Sequence, residues 1–178
     1  MVKMIFISIL LMYVSVFDVY AESGVVHVNP SVGYIKFDGD SELKSKVLPV
    51  IGVEYMLSDT YGVSVSFTRK DIDVRDVKGD ASVSLYYFDG LYYLPRDKHW
   101  HPYLVAGVGH RRVKLNFANQ GPDFSSNETD TQLHFGGGVR YDTNNEFTLR
   151  SEVRVLQNLH NDGTDALLTL GISRVFGV

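Results

Sequence analysis

Tyr61 to Thr68 alternates without error, with Tyr61, Val63, Val65 and Phe67 on one side and Gly62, Ser64, Ser66 and Thr68 on the other. Successive side chains of a β-strand point to opposite faces, so this segment has one apolar face and one polar face. Seven or eight stretches of the chain share that period, and no window shows helical periodicity with a cap at each end. A soluble sandwich and a membrane barrel both produce such a pattern. The face that must touch hydrocarbon decides between them.

Lys3 followed by the apolar run Met4 to Phe17 reads as an export leader. The run is shorter than the about 20 residues that a membrane helix needs, and Asp18 follows it. Val19-Tyr20-Ala21 supplies a small-x-small cleavage site, so residues 1-21 are expected to be a signal peptide cut after Ala21. Residues 22-178 then form one domain. The chain has no cysteine, so an exported fold must hold through its sheet rather than through disulfides. A net charge of -4 with scattered Lys and Arg gives no nucleic-acid surface.

Turn residues divide the domain into eight strands: about Val25 to Phe37, Val47 to Leu57, Tyr61 to Arg69, Asp80 to Leu94, Pro102 to Phe117, a sixth ending at Tyr141, a seventh from Phe147, and an eighth through Leu168 to Phe176. Lys70 to Gly79, Ala118 to Glu128 and Gln157 to Asp165 read as loops, and Pro95 to His101 as a polar turn. Long and short connections alternate, which is the pattern of outer-membrane barrels. Strand 5 is ambiguous because Gly107 and Gly109 blur its faces.

One face carries Val, Ile, Leu, Tyr and Phe. The other carries Gly, Ser, Thr, His and the charges Glu54, Arg140, Arg150, Glu152 and Arg154. Tyr55, Tyr61, Tyr141, Phe147 and Phe176 sit beside the short turns, and Tyr34, Phe67 and Phe117 near the longer loops. Two aromatic bands around an aliphatic middle are what a membrane interface selects. In hydrocarbon every backbone polar group must be paired internally, which a sheet achieves only by closing. The expected fold is all-β: an eight-stranded antiparallel up-and-down transmembrane β-barrel with a polar lumen.

The segments Asp89-Gly-Leu-Tyr-Tyr-Leu94, Pro102-Tyr-Leu-Val-Ala-Gly-Val-Gly109, Gly136-Gly-Gly-Val-Arg-Tyr141 and Leu170-Gly-Ile-Ser-Arg-Val-Phe-Gly177 together resemble the transmembrane domain of the OmpA family, above all its porin-like branch. The resemblance implies an outer-membrane barrel whose inward charges form a salt-bridged constriction. Glu54, Arg140, Arg150 and Glu152 occupy matching places, with Arg154 in the same inward row. Glu54 is expected to pair with Arg140 or Arg150, with Glu152 competing for the same partners. That family usually continues into a peptidoglycan-binding domain, whereas this sequence ends at Val178, so wall tethering is not carried over. Phe176 is the last outward aromatic and the candidate assembly signal, although two residues follow it.

The expected role is structural or weakly pore-forming. The expected partners are outer-membrane lipid and lipopolysaccharide, the assembly machinery and other envelope proteins, with no nucleic acid. Two alternatives stay open: surface adhesion through the loops, and a lipid A-modifying enzyme using His160. No serine adjoins His160, and no catalytic residue is assigned. His99-Trp-His101 has no third ligand nearby, so neither a metal nor a cofactor is called for. Asn127-Glu128-Thr129 is a glycosylation sequon by spelling only.

Overall fold

The computed structural model describes residues 25–37, 45–73, 79–95, 99–117, 125–143, 147–159 and 163–176. The leader, its cleavage site and His160 lie outside the described residues.

Eight strands follow one another in the sequence: β1 (Val26–Lys36), β2 (Lys46–Met56), β3 (Tyr61–Asp73), β4 (Gly79–Tyr93), β5 (Trp100–Phe117), β6 (Ser125–Asp142), β7 (Phe147–Asn158) and β8 (Thr164–Phe176). Each pairs antiparallel with the next, and β1 pairs with β8, which closes the barrel. Val26 shows the closure in one residue, lying opposite Tyr55 of β2 and Phe176 of β8. With no edge left, the ladders satisfy the backbone within the wall. The tight β2–β3 turn is set by Ser58, whose hydroxyl accepts from the Thr60 and Tyr61 amides at 3.2 and 3.1 Å.

The outer face is aliphatic across the middle. Val65 and Leu170 are each 57% exposed, and Val32, Ile51, Val53, Leu104, Val108, Phe135, Leu149 and Val153 are exposed with them. Tyr55, Tyr61, Tyr92, Trp100, Phe147 and Phe176 are exposed toward the end that carries the β2–β3, β4–β5 and β6–β7 turns. We call this the turn end and the opposite one the loop end.

Three expectations need correction. The strands run further toward the loop end than their hydropathy suggests. Lys70–Asp73 belongs to β3, Ser125–Glu128 to β6, Gln157 and Asn158 to β7, and Thr164 and Asp165 to β8. These extensions are mostly polar in sequence, so the apolar–polar alternation fades there although the strand pairing continues. Trp100 and His101, read as turn, begin β5. The contrast of connection lengths is accordingly weaker, because 94–99 is longer than 74–78.

The lumen is also not uniformly polar. Ile35, Phe37, Leu48, Val50, Val83, Leu85, Tyr87, Val113, Leu156 and Leu167 form a buried apolar cluster toward the loop end. A smaller one of Met56, Leu91, Tyr93, Tyr103 and Val105 lies toward the turn end. Eight strands enclose a bore that side chains fill, and the ion pairs of Arg150 and Arg154 sit between these two apolar layers.

Candidate functional site: the charged lumen

The inward parity of each strand decides what reaches the bore. On β7, Arg150, Glu152 and Arg154 point inward on alternate residues while Leu149 and Val153 face out. Glu54 on β2 and Arg140 on β6 have the same parity, and both are buried.

Arg150 lies at the centre. Its Nη1 donates to Glu54 Oε2, its Nη2 to Glu152 Oε2 at 2.9 Å, and its Nε to the Tyr103 hydroxyl oxygen at 2.7 Å. Tyr103 in turn donates to Glu152 at 2.8 Å. Arg154 carries the chain on, with Nε donating to Glu152 Oε1 and Nη1 lying 2.9 Å from Asp89 Oδ2. Asp89 also contacts His134 Nε2 and accepts from Ser64 Oγ at 3.1 Å. On the other side, Tyr93 donates to Glu54 Oε1. Arg140 Nη1 stands further off, 3.9 Å from Glu54 Oε1, and Arg140 Nε is 3.2 Å from Asp142.

Three arginines thus alternate with Glu54, Glu152 and Asp89 from one wall to the other. Each arginine also lies over a tyrosine ring: Arg140 over Tyr93 at 4.9 Å, Arg150 over Tyr103 at 4.6 Å and Arg154 over Tyr87 at 5.4 Å. Buried charge is tolerable only when paired and hydrogen-bonded on its remaining donors. Here each guanidinium meets at least one carboxylate and one ring face. A separate group nearer the loop end joins Arg111 to Asp130 at 2.7 Å and Asp165 at 3.0 Å.

Glycines let the long side chains lie flat on the wall. A Cβ on Gly138 would meet the Tyr103 hydroxyl and come within 2.5 Å of the Ser151 carbonyl oxygen, and one on Gly109 would stand 2.8 Å from the Tyr87 ring. The free space left beside Arg150, Glu152 and Arg154 is a cavity of about 40 Å³, lined by Asn29, Ser64, Ser66, Thr169 and Ser173 among others. That volume holds a few water molecules.

Of the five charges read from the sequence, Glu54, Arg150, Glu152 and Arg154 lie in one connected group, with Arg140 at its edge. Phe176 ends β8 facing outward, with the Arg174 guanidinium 5.1 Å from its ring centre. His101 Nε2 is 2.7 Å from Asp142 Oδ2, and Asn127 lies in β6 opposite Lys114 of β5. Sequence reasoning missed Asp89, His134, Tyr87, Tyr93 and Tyr103. From Leu85 to Tyr93 β4 is apolar on both faces apart from Asp89, with Tyr86, Phe88 and Tyr92 outward and Leu85, Tyr87, Leu91 and Tyr93 inward. The one available signal was Asp89 itself, the lone carboxylate within the apolar run from Leu85 to Tyr93.

A closed eight-stranded barrel with an aliphatic belt, aromatic ends and an ion-paired bore defines a transmembrane barrel of the outer-membrane type. The family model described as outer membrane protein beta-barrel domain matches residues 4–176, and the chain belongs to that family. The N-terminal β-barrel domain of Pseudomonas aeruginosa OprF is 17% identical over 86% of this chain and 98% of its own, with a TM-score of 0.61. Neisserial surface protein A is 18% identical over 86% and 99%, with a TM-score of 0.66. Ail of Yersinia pestis, solved in complex with the heparin analogue sucrose octasulfate, is 19% identical over 85% and 97%, with a TM-score of 0.61. At these identities the likeness is one of fold. No curated protein sequence matches the chain significantly.

Proposed function

We propose that the protein is a sealed structural barrel of the outer membrane, whose charged lumen is a packed core rather than a conduit. The observation that carries this reading is the unbroken run Arg140, Glu54, Arg150, Glu152, Arg154, Asp89 across the bore. The apolar cluster toward the loop end adds a second, dry barrier. The leader ending at Ala21 exports the chain, and the assembly machinery engages the outward face of β8 at Phe176. The role is non-catalytic, with outer-membrane lipid as the immediate surroundings.

The test is ion conductance after reconstitution into planar bilayers at high KCl. A flat baseline is expected. Reproducible ohmic steps that disappear when Arg150 is neutralised would overturn the reading and restore a pore.

Strand length favours a second reading, attachment through the loop end. β5 and β6 each run 18 residues, against about 9–11 for a transmembrane strand, so these strands stand clear of the bilayer as a platform. Ail, an attachment invasion locus protein, has the same fold. Binding of cells displaying the barrel to a host-cell layer, compared with cells lacking it, tests this reading.

A further inference from the structure

The extended strands expose a group of residues that the lumen does not use. On the outer face of β3 and β4, Phe67 and Tyr86 pack with ring centroids 4.9 Å apart. One pleat further toward the loop end, Arg69 of β3 lies opposite Ser84 of β4, and Ser84 lies opposite Arg112 of β5. Arg112 lies opposite Thr129 of β6. One pleat beyond, Ser82 of β4 lies opposite Lys114 of β5. Arg69, Arg112 and Lys114 are all exposed. Arg69 Nε donates to Ser82 Oγ at 3.4 Å, and among the described residues neither Arg112 nor Lys114 forms an ion pair. Arg111, the residue before Arg112, points the other way into the lumen and is the one held by Asp130 and Asp165. Asp71 is the single carboxylate on this outer face among the described side chains.

Strands are spaced about 4.8 Å apart and same-face neighbours about 7 Å apart. Arg69, Arg112 and Lys114 therefore form a triangle about 7–12 Å on a side, floored by Ser82 and Ser84. Three cations cannot face hydrocarbon cheaply. Their level, one to two pleats outside an aromatic contact of the membrane interface, is that of the lipid head groups. Arginine and lysine flanked by hydroxyl donors suit phosphate oxygens.

We propose that this outer-wall patch of Arg69, Arg112 and Lys114 binds the phosphate groups of a phosphorylated glycolipid in the outer leaflet, with Ser82 and Ser84 as accessory donors. The proposal rests on the outer-membrane reading and deepens it by naming the wall that meets the lipid.

The test uses the protein reconstituted in phosphatidylcholine nanodiscs, titrated with diphosphoryl lipid A, with dephosphorylated lipid A and with a sulfated polysaccharide. The variant is Arg69→Gln/Arg112→Gln/Lys114→Gln, with Lys36→Gln on β1 as a control outside the patch. Each basic contact to an anionic lipid is worth about fivefold in affinity, so the triple variant should bind diphosphoryl lipid A about a hundredfold more weakly. Lys36→Gln should bind as the wild type does, and the dephosphorylated lipid should bind weakly to every form. Equal affinity of wild type and triple variant overturns the patch. So does equal binding of the two lipids, or a loss confined to the polysaccharide. The heat-dependent shift in gel mobility reports insertion independently. A wild type that never inserts refutes the membrane reading, whereas an inserted wild type without phosphate preference refutes the patch alone.

Discussion

Glu54→Ala tests the lumen network where it is most connected. Glu54 is fully buried and accepts from Arg150 and Tyr93, with Arg140 at 3.9 Å. Stranding one partner of a buried pair costs about 3–5 kcal/mol. Here neither arginine is stranded. Arg150 keeps Glu152 at 2.9 Å and the Tyr103 oxygen at 2.7 Å, and Arg140 keeps Asp142 at 3.2 Å. The loss should therefore fall below that range, at about 2–3 kcal/mol. Double-mutant cycles then rank the partners. Glu54 and Arg150 hydrogen-bond directly and should couple by about 1–3 kcal/mol, whereas the more distant Arg140 should couple by less than about 1 kcal/mol. Glu54→Gln keeps an acceptor for Tyr93 and should lose about half as much as Glu54→Ala, since a neutral bond is weaker than a charge-assisted one. The assay is reversible urea unfolding in lipid vesicles, followed by far-UV circular dichroism and heat-dependent gel mobility. Arg140 coupling equal to or larger than that of Arg150, or additivity for both, would refute the reasoning from geometry.

Other perturbations bear on the wall, the packing and assembly. Leu170→Arg places a charge on the mid-barrel outer face and should cost about 2–4 kcal/mol, while Ser173→Ala inside should cost under about 1 kcal/mol; the same urea titrations compare them. Gly138→Ala drives a methyl into the Tyr103 hydroxyl and the Ser151 carbonyl and should destabilise by about 1–3 kcal/mol or more. Leu167→Ala opens the apolar layer beneath the loops and should cost about 2–5 kcal/mol. Because the ion-pair chain remains, its planar-bilayer baseline should stay flat. Phe176→Ala should lower the heat-modifiable fraction recovered from cells more than Tyr61→Ala does, and equal yields would remove the assembly role of Phe176.

The strand count, the closed antiparallel order and the outward set were legible because lipid on one side and packed side chains on the other enforce period two. Tyr61 to Phe67 and Phe147 to Val155 show this directly. Legibility failed where that constraint lapses. Toward the loop end the sequence turns mostly polar, so Lys70–Asp73 and Ser125–Glu128 offer no apolar–polar alternation to read although they lie in strands. Between Leu85 and Tyr93 both faces of β4 are apolar, because its inner face supplies Leu85, Tyr87, Leu91 and Tyr93 to the packed lumen, so Asp89 stayed hidden. Arg150 and Glu152 were readable as inward charges, but their partners depend on which walls face each other across the bore. The split of Arg111 inward from Arg112 and Lys114 outward became visible only once the faces of β5 were fixed.

The assignment of the outer face to lipid underlies every part of the account, and the single tryptophan tests it most directly. Trp100 opens β5 at the turn end, 52% exposed and packed on Tyr141 with ring centroids 4.7 Å apart. Its fluorescence should be measured in vesicles made from lipids brominated at graded depths along the acyl chain. Strong quenching is expected from bromines near the head-group end of the chain, with weaker quenching at the bilayer centre and limited access for aqueous iodide. Trp100 fluorescence indifferent to brominated lipid at every depth, yet freely quenched by iodide, would contradict it.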